Sequence, residues 1–290
     1  MDELKLGIHN INGLDHKTPE LKFWLNENPI DVLAINEPRK SKKTYIKSST
    51  HSYRYSQPEK HVDKGIGILY KNTIETIDLP QIESTETTKN LNHSILITAN
   101  GQHIQITTIY CPKGKPNLTL FSKIMDRYEN TIIMGDMNVQ HDNIGSERPF
   151  HSNRSGDALF ELTEGRRFSL LNDHTPNHYW PKTHKETVKS LIFVSNSLFE
   201  SFLEFEVHDS LGSDHSITTA TLALRANLIT PRTKTVSLYH KANWEVIGAK
   251  IQNDMSDFSL NHLSSLDDID TTVRNLAIST KNNEETMIFD

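Results

Sequence analysis

The chain has 290 residues, with 31 Lys and Arg against 37 Asp and Glu and 35% hydrophobic residues, enough to bury a sizeable core and too apolar for a disordered polymer. A single cysteine, Cys111, excludes a disulfide framework and any Cys-rich zinc module, and points to a reducing compartment. No apolar run approaches the ~18 residues of a membrane span, and the acidic start Met1-Asp2-Glu3 is followed by no apolar leader, so the expected location is nucleus or cytoplasm, neither secreted nor in a membrane.

Leu4–Ile8 alternates as a short strand and runs into the turn signal Asn10-Ile11-Asn12-Gly13. A helix is expected from Pro19, with Leu21, Phe23, Trp24 and Leu25 as its apolar stripe. Val32–Ile35 reads as a buried strand, followed by strands at 65–70, 93–97, 104–110 and 131–134. Helices are expected over Leu118–Tyr128 and Asp157–Glu164, then strands at 190–194, 203–207 and 217–222. Strands outnumber helices and occur both as hairpin-like runs and in βα order, which suggests a mixed-sheet α/β domain over residues 1–224. From Arg225 a thin basic connector leads to helical stretches at 244–247 and 269–278. Residues 241–290 hold 4 basic and 9 acidic residues, against 27 and 28 in residues 1–240. The net charge of −6 argues against a phosphate-binding protein when taken whole, but it belongs mostly to the tail.

Polar residues gather at or beside the predicted strand ends: Asn10, Asn12, Glu37, Tyr110, Asp136, Asn138, Asp214 and His215. In open α/β sheets that edge is where ligands bind. Carboxylate and amide oxygens suit a hard divalent cation such as Mg²⁺. With a histidine and a tyrosine added, the set suits metal-assisted attack of water on a phosphodiester. Each piece has a plainer reading: Asn-x-Asn-Gly as a turn, Asn36-Glu37-Pro38 as a strand end before proline, and a lone loop histidine as solvated. Gly135-Asp136-Met137-Asn138 is more pointed, because side chains at i and i+2 of an extended segment share a face. The strength lies in several such sites in order, each beside a strand.

That ordered set resembles the exonuclease–endonuclease–phosphatase superfamily, and within it the apurinic-endonuclease-like domain of LINE-type, Jockey-like non-LTR retrotransposon proteins. The matching stretches are His9–Leu14, Ile35-Asn36-Glu37, Ile109–Pro112, Ile132–Asn138 with His141, and Ser213–Ser216. Asn153–Gly156 with Leu159 and Leu162, and His178–Pro181, are similar to further family segments. The resemblance covers roughly residues 4–224 and implies a four-layer α/β sandwich with two central mixed sheets flanked by helices. It implies an Mg²⁺-dependent endonuclease, Mn²⁺ also serving, that nicks one DNA strand for target-primed reverse transcription. Glu37 is then the main metal ligand, with Asn10 beside it and Asn12 behind. Asp136 aligns or activates water, Asn138 and Tyr110 hold phosphate oxygens, His215 stabilises the transition state, and Asp214 completes the metal and water network. The tail resembles a truncated linker to a reverse transcriptase carried by a longer polyprotein, and the acting unit is expected to be a monomer.

Two positions depart from the family pattern. Ser190 stands where the family has the Asp that pairs with the catalytic His, beside Lys189 at an apolar position, with Glu186 a weaker compensating acid. Asn177 replaces the Thr of a Pro-Thr pair and bears on a phosphate contact. Impaired nicking follows as an expectation, and a nucleic-acid binder that no longer cuts is the rival reading. An apurinic repair enzyme or another phosphoesterase shares the same core residues. A zinc enzyme is disfavoured: His174 and His178 stand four apart, but Pro176 between them marks a loop, and no His-Glu-x-x-His occurs. Asn-x-Ser/Thr triplets at Asn92, Asn117 and Asn153 read as chance.

Overall fold

Leu4, Leu6 and Ile8 of the first strand project into a shared interior, and the computed structural model shows what faces them: a second sheet carrying Ile104, Ile106, Ile132, Met134 and Ile192. The structure describes residues 2–39, 50–56, 65–83, 90–144 and 152–224, all within one compact unit, Met1–Ala226. In chain order the elements are β1 (Glu3–Asn10), α1 (Thr18–Glu27), β2 (Val32–Asn36), β3 (His51–Ser56), β4 (Ile66–Lys71), β5 (Thr76–Asp78), β6 (Leu91–Ala99), β7 (Gln102–Tyr110), α2 (Leu118–Met125), β8 (Thr131–Asp136), α3 (Arg154–Gly165), β9 (Phe168–Leu170), β10 (His178–Trp180), β11 (Lys185–Thr187), β12 (Ser190–Ser195), α4 (Asn196–Phe199), β13 (Phe202–Val207) and β14 (Thr218–Ala223).

Two six-stranded sheets form, in the orders β13-β14-β1-β2-β4-β3 and β5-β6-β7-β8-β12-β9, with β10-β11 as a separate hairpin. Only β1–β2 and β7–β8 are parallel pairs among the described strands, so both sheets are mixed. Leu21, Trp24 and Leu25 of α1 cover Leu33 and Ile35 on the outside of the first sheet. Leu120, Phe121 and Ile124 of α2 and Leu159 and Phe160 of α3 cover Ile133, Leu191 and Phe193 on the outside of the second. The result is the expected four-layer sandwich. Central strands buried on both faces read as continuous apolar runs for this reason.

Up to residue 224 the strands and helices expected from periodicity are present within a few residues. The additions are β3, β5, β9, β10, β11 and α4. Four of these strands have three residues each, too few to show a period, and in β3 buried Tyr53 stands among polar neighbours. His178 therefore opens a strand, where a loop was expected. The connector and the stretches at 244–247 and 269–278 lie outside the described residues. The three Asn-x-Ser/Thr triplets have a structural explanation. Asn117 and Asn153 cap α2 and α3, accepting from the backbone N–H of Leu120 and Gly156 at 2.9 and 2.8 Å, while buried Asn92 donates to the Ile82 carbonyl at 3.0 Å.

One buried polar residue ties the two sheets together at their functional end. Asn36 ends β2; its Oδ1 accepts the backbone N–H of Asp136 at 2.7 Å and its Nδ2 donates to Thr108 Oγ1 of β7 at 3.2 Å. Replacing it by the similarly sized Leu strands both partners in the interior. Asn36→Leu is expected to lower the unfolding free energy by about 2–4 kcal/mol, since each buried group left unpaired costs ~1–3 kcal/mol; urea denaturation measures this, and a change below ~1 kcal/mol is incompatible with such a link.

Candidate active site

The strand register turns a list scattered over the sequence into two facing rows. Asn10 pairs in register with Asn36 across β1 and β2, and Glu37 follows directly. Tyr110, Asp136 and Ser190 stand in register across β7, β8 and β12. β12 runs antiparallel to β8, so its first residue lies at the edge where β8 ends. Gly135 is required next to Asp136, because a Cβ there would stand 1.8 Å from the Ile109 carbonyl oxygen of β7. Beyond the strand ends the backbone turns sharply: Asn12, Glu37 and Asn138 adopt φ of 47°, 51° and 53°. Asn tolerates that left-handed region, whereas Glu enters it only where the surroundings enforce it.

Hydrogen bonds join the rows. Asn10 Nδ2 donates to Asp136 Oδ2 at 2.9 Å, and the Asn138 backbone N–H donates to Asp136 Oδ1 at 3.2 Å. The Tyr110 hydroxyl donates to Glu37 Oε1 at 2.8 Å, and Arg39 stands 3.6 Å from Glu37 Oε2. Asn12 donates from its backbone to Asn10 Oδ1 and from Nδ2 to Asp214 Oδ1 at 3.4 Å. Ser213 Oγ donates to the Asn10 carbonyl at 2.6 Å and accepts the His215 backbone N–H at 3.2 Å, fixing the Asp214–His215 turn on β1. His215 Nε2 lies 3.7 Å from Asp136 Oδ2, and its Nδ1 lies 3.5 Å from Ser190 Oγ.

Burial and neighbouring charge polarise these groups. Asp136, only 1% exposed, has its carboxyl pushed up to about 7, first by burial and then by the charge of Glu37, against the Asn10 and Asn138 hydrogen bonds and the Lys189 charge. Burial, with Glu37 adding to it, holds the Tyr110 phenol far above its usual range, so it remains a neutral donor. The His178 imidazole 3.8 Å away, with His215 adding to it, holds the Asp214 carboxyl below the usual carboxylate range. Burial, followed by the charge of His178, pushes His215 well down.

This set fits a hard divalent cation. Glu37 and Asp136 are two buried carboxylates close enough to raise each other's cost, which a cation relieves. Asn10 and Asn12 supply amide oxygens, and Asn12 Oδ1 is buried with no hydrogen-bond partner. Glu37, Asn10 and Asp214 are the residues that would hold the ion.

Several expected roles change on seeing the fold. Tyr110 uses its hydroxyl on Glu37 and so orients that carboxylate. Asn138 Oδ1 accepts from Lys189 Nζ at 3.1 Å. Asn177 is fully buried and does not reach the surface: its Oδ1 accepts the backbone N–H groups of Lys189 and Ser190, and its Nδ2 donates to the Ser190 carbonyl, clamping the start of β12. His141 stacks on Phe160 at a centroid distance of 4.0 Å, outside this cluster. Glu186 is exposed on β11 opposite Tyr179. Four residues were missed. Asn36 was read as a strand end. Lys189, read only as a departure, places its ammonium beside Asn138 and 4.3 Å over the Trp180 ring. His178 packs on His215 at a ring distance of 4.5 Å. His9 is buried against the Ser210 carbonyl at 3.2 Å, and burial pushes it down to about 4.

Two mixed six-stranded sheets packed face to face between helices, with carboxylates, amides and a histidine at the shared strand edge, define an α/β sandwich that carries a polar site at one end. Comparison with known proteins narrows it. A family model described as Endonuclease-reverse transcriptase matches residues 104–219. The chain is 28% identical over 183 residues to a probable RNA-directed DNA polymerase from transposon X-element of Drosophila melanogaster, a match spanning 62% of this chain but 20% of that protein. Among solved structures it is similar to the endonuclease domain of TRAS1, a telomere-specific non-LTR retrotransposon (TM-score 0.61, 18% identity, 77% of this chain and 99% of that one). It is also similar to an AP endonuclease from Archaeoglobus fulgidus (TM-score 0.60, 16% identity, 76% and 99%) and to a 3′-5′ exonuclease from Neisseria meningitidis (TM-score 0.59, 14% identity, 75% and 98%). Over its described residues the chain thus has the fold of these endonuclease structures, and part of its sequence matches the Endonuclease-reverse transcriptase model.

The Asp136 carboxyl makes stability depend on pH with a definite sign. Its folded value of about 7 exceeds the ordinary 3.8, so the folded state holds the proton more tightly than the unfolded chain, and stability falls as pH rises from about 4 to about 7. Buried His9 and His93, both pushed down to about 4, act oppositely over an overlapping range. They do so alike in wild type and Asp136→Asn. The unfolding free energy of metal-free Asp136→Asn minus that of wild type is therefore expected to rise with pH across this window; denaturant titrations at pH 4.5 and 8 would show it, and a flat difference contradicts it.

Proposed function

We propose that this chain is an Mg²⁺-dependent endonuclease that nicks one strand of DNA, providing an end from which a reverse transcriptase primes. The observation that carries the reading is the convergence of Glu37 and His215 on Asp136: the charge of Glu37 bears on the Asp136 carboxyl, and His215 Nε2 stands 3.7 Å from Asp136 Oδ2. The bound cation, Mg²⁺ or Mn²⁺, supplies charge neutralisation at the phosphate. Asp136 takes the proton of the attacking water, its raised proton affinity suiting a base. His215 Nε2, on the far side of the Asp136 carboxylate, faces the phosphoryl oxygens as charge develops. Asn138 and Lys189 position the phosphate, and Tyr110 keeps Glu37 aimed. Beside them the β10–β11 hairpin exposes Tyr179 and Trp180, 41% and 45% accessible, as aromatic surfaces for a nucleotide. The Tyr179 backbone N–H donates to the Asp214 carbonyl at 2.8 Å, which fixes the hairpin to the site. The acting unit is a monomer working on nuclear or cytoplasmic DNA, within a longer protein that carries the polymerase.

Ser190 supports a second reading, a binder that cuts weakly or not at all. Its hydroxyl stands 3.5 Å from His215 Nδ1 and offers a hydrogen bond without charge. In serine proteases, neutralising the acid behind the histidine costs ~10⁴-fold, which sets an upper scale. Supercoiled-plasmid nicking with Mg²⁺ decides. Glu37→Gln is expected to lower the rate by ~10²-fold or more, and Ser190→Asp to raise it by ~10-fold or more, with melting curves verifying that each variant folds. Plasmid retarded in a gel but uncut by both wild type and Ser190→Asp establishes the binder.

A further inference from the structure

Behind the Glu37–Asp136 pair lies a second group of donors of different chemistry. We propose that His178, Asp214 and His215 form a binding site for a borderline transition-metal ion of the Zn²⁺ or Co²⁺ type, which shares Asp214 with the hard-cation site but draws on two imidazoles that site does not use, and that filling it disables His215. Among the described residues these three form the one group of His, Cys, Asp or Glu whose donor atoms all lie within 4.8 Å of one another. His178 Nε2 is 3.8 Å from Asp214 Oδ2. Zinc ligands at ~2.0–2.1 Å in a tetrahedron stand about 3.3 Å apart, so side-chain movements of roughly 1 Å close the site.

The surroundings favour metal ligation by both imidazoles. His178 Nδ1 faces Thr187 Oγ1 at 3.0 Å, and His215 Nδ1 faces Ser190 Oγ at 3.5 Å. A hydroxyl accepting at each Nδ1 leaves each Nε2 with a lone pair toward the cluster, the arrangement that orients ligating histidines. Ser190 is therefore more than a loss. Both imidazoles are buried, while the Asp214 side chain is 37% exposed, leaving an open side for water and for entry of the ion. Mg²⁺ prefers oxygen donors and takes imidazole poorly, whereas two imidazoles and a carboxylate suit Zn²⁺ and Co²⁺. The site is held by the β10–β11 hairpin on one side and the turn after Ser213 on the other, joined by a bridge between His178 and His215. The disfavoured pairing of His174 with His178 overlooked this partner, which lies 37 residues further along the chain.

The test is titration of the full chain with Co²⁺ alone, read as visible d–d absorption. A band saturating near one equivalent is expected, lost in His178→Ala and in Asp214→Asn, abolished by stoichiometric Zn²⁺ and retained in millimolar Mg²⁺, which competes for Asp214 alone. His174→Ala should leave it unchanged. A band that survives in His178→Ala, a band displaced by Mg²⁺, or no band at all overturns the proposal. The consequence for His215 rests on the nicking reading and is measured separately: micromolar Zn²⁺ should suppress Mg²⁺-supported nicking of wild type at least tenfold more than that of His178→Gln. Equal suppression removes this consequence while the Co²⁺ result stands, and absent nicking in every variant overturns the nicking reading without touching the binding result.

Discussion

The arrangement depends on keeping a carboxylate, Asp136, almost wholly out of water at the junction of two sheets. Burial of that kind is tolerated only when the oxygens find partners, and here Asn10 of one sheet and the Asn138 backbone of the other provide them. Asn36 holds the Asp136 backbone from across the interface. The polar junction closes one end of an otherwise apolar interior, so the sandwich and the site share one set of hydrogen bonds. A carboxylate whose proton affinity is raised by its setting is poorly placed for stability and well placed for reaction, the usual conflict at functional sites.

Much of this was legible in the chain. Central strands such as β7 and β8 have seven of nine and six of six residues buried, in mostly β-branched or apolar sequence, which a strand covered on both faces requires. Asp136 and Asn138 could be picked out because an extended segment puts alternate side chains on one face. What stayed hidden depended on pairing across the sheets. Asn36 became a bridge only when Thr108, 72 positions away, was placed opposite it. Asn177 looked like surface chemistry, yet it spends both polar atoms of its side chain on the backbone of Lys189 and Ser190. Lys189 broke an apolar pattern and so looked like damage, until the structure set it between Asn138 and Trp180. A three-residue strand such as β10 carries no period to detect, and with it the place of His178 against His215 stayed hidden.

The acidic balance of the whole chain, −6, is a poor guide to the field at this edge. Arg39 lies against Glu37, Lys17 donates to the Ile11 carbonyl and feels Asp214, and Lys189 lowers the proton affinity of Asp136. The carboxylates are thus bordered by cations that a phosphate backbone can also use. Contacts of that kind make affinity fall with salt according to the number of phosphates neutralised, whatever the sign of the remaining surface.

The row formed by Tyr110, Asp136 and Ser190 has a metric consequence. Neighbouring strands lie about 4.8 Å apart, so the row spans roughly 10 Å from end to end. That width is set by peptide hydrogen bonds of three adjacent strands, and no side-chain rotamer can alter it. The protein therefore fixes a gauge in advance, because Tyr110 carries the gauge to Glu37 and Ser190 carries it to His215: under the proposed activity a phosphodiester must be brought to these dimensions, by local bending or groove opening. Choice among DNA sequences can then arise from how readily each duplex deforms to the gauge, without any base being read at the row itself.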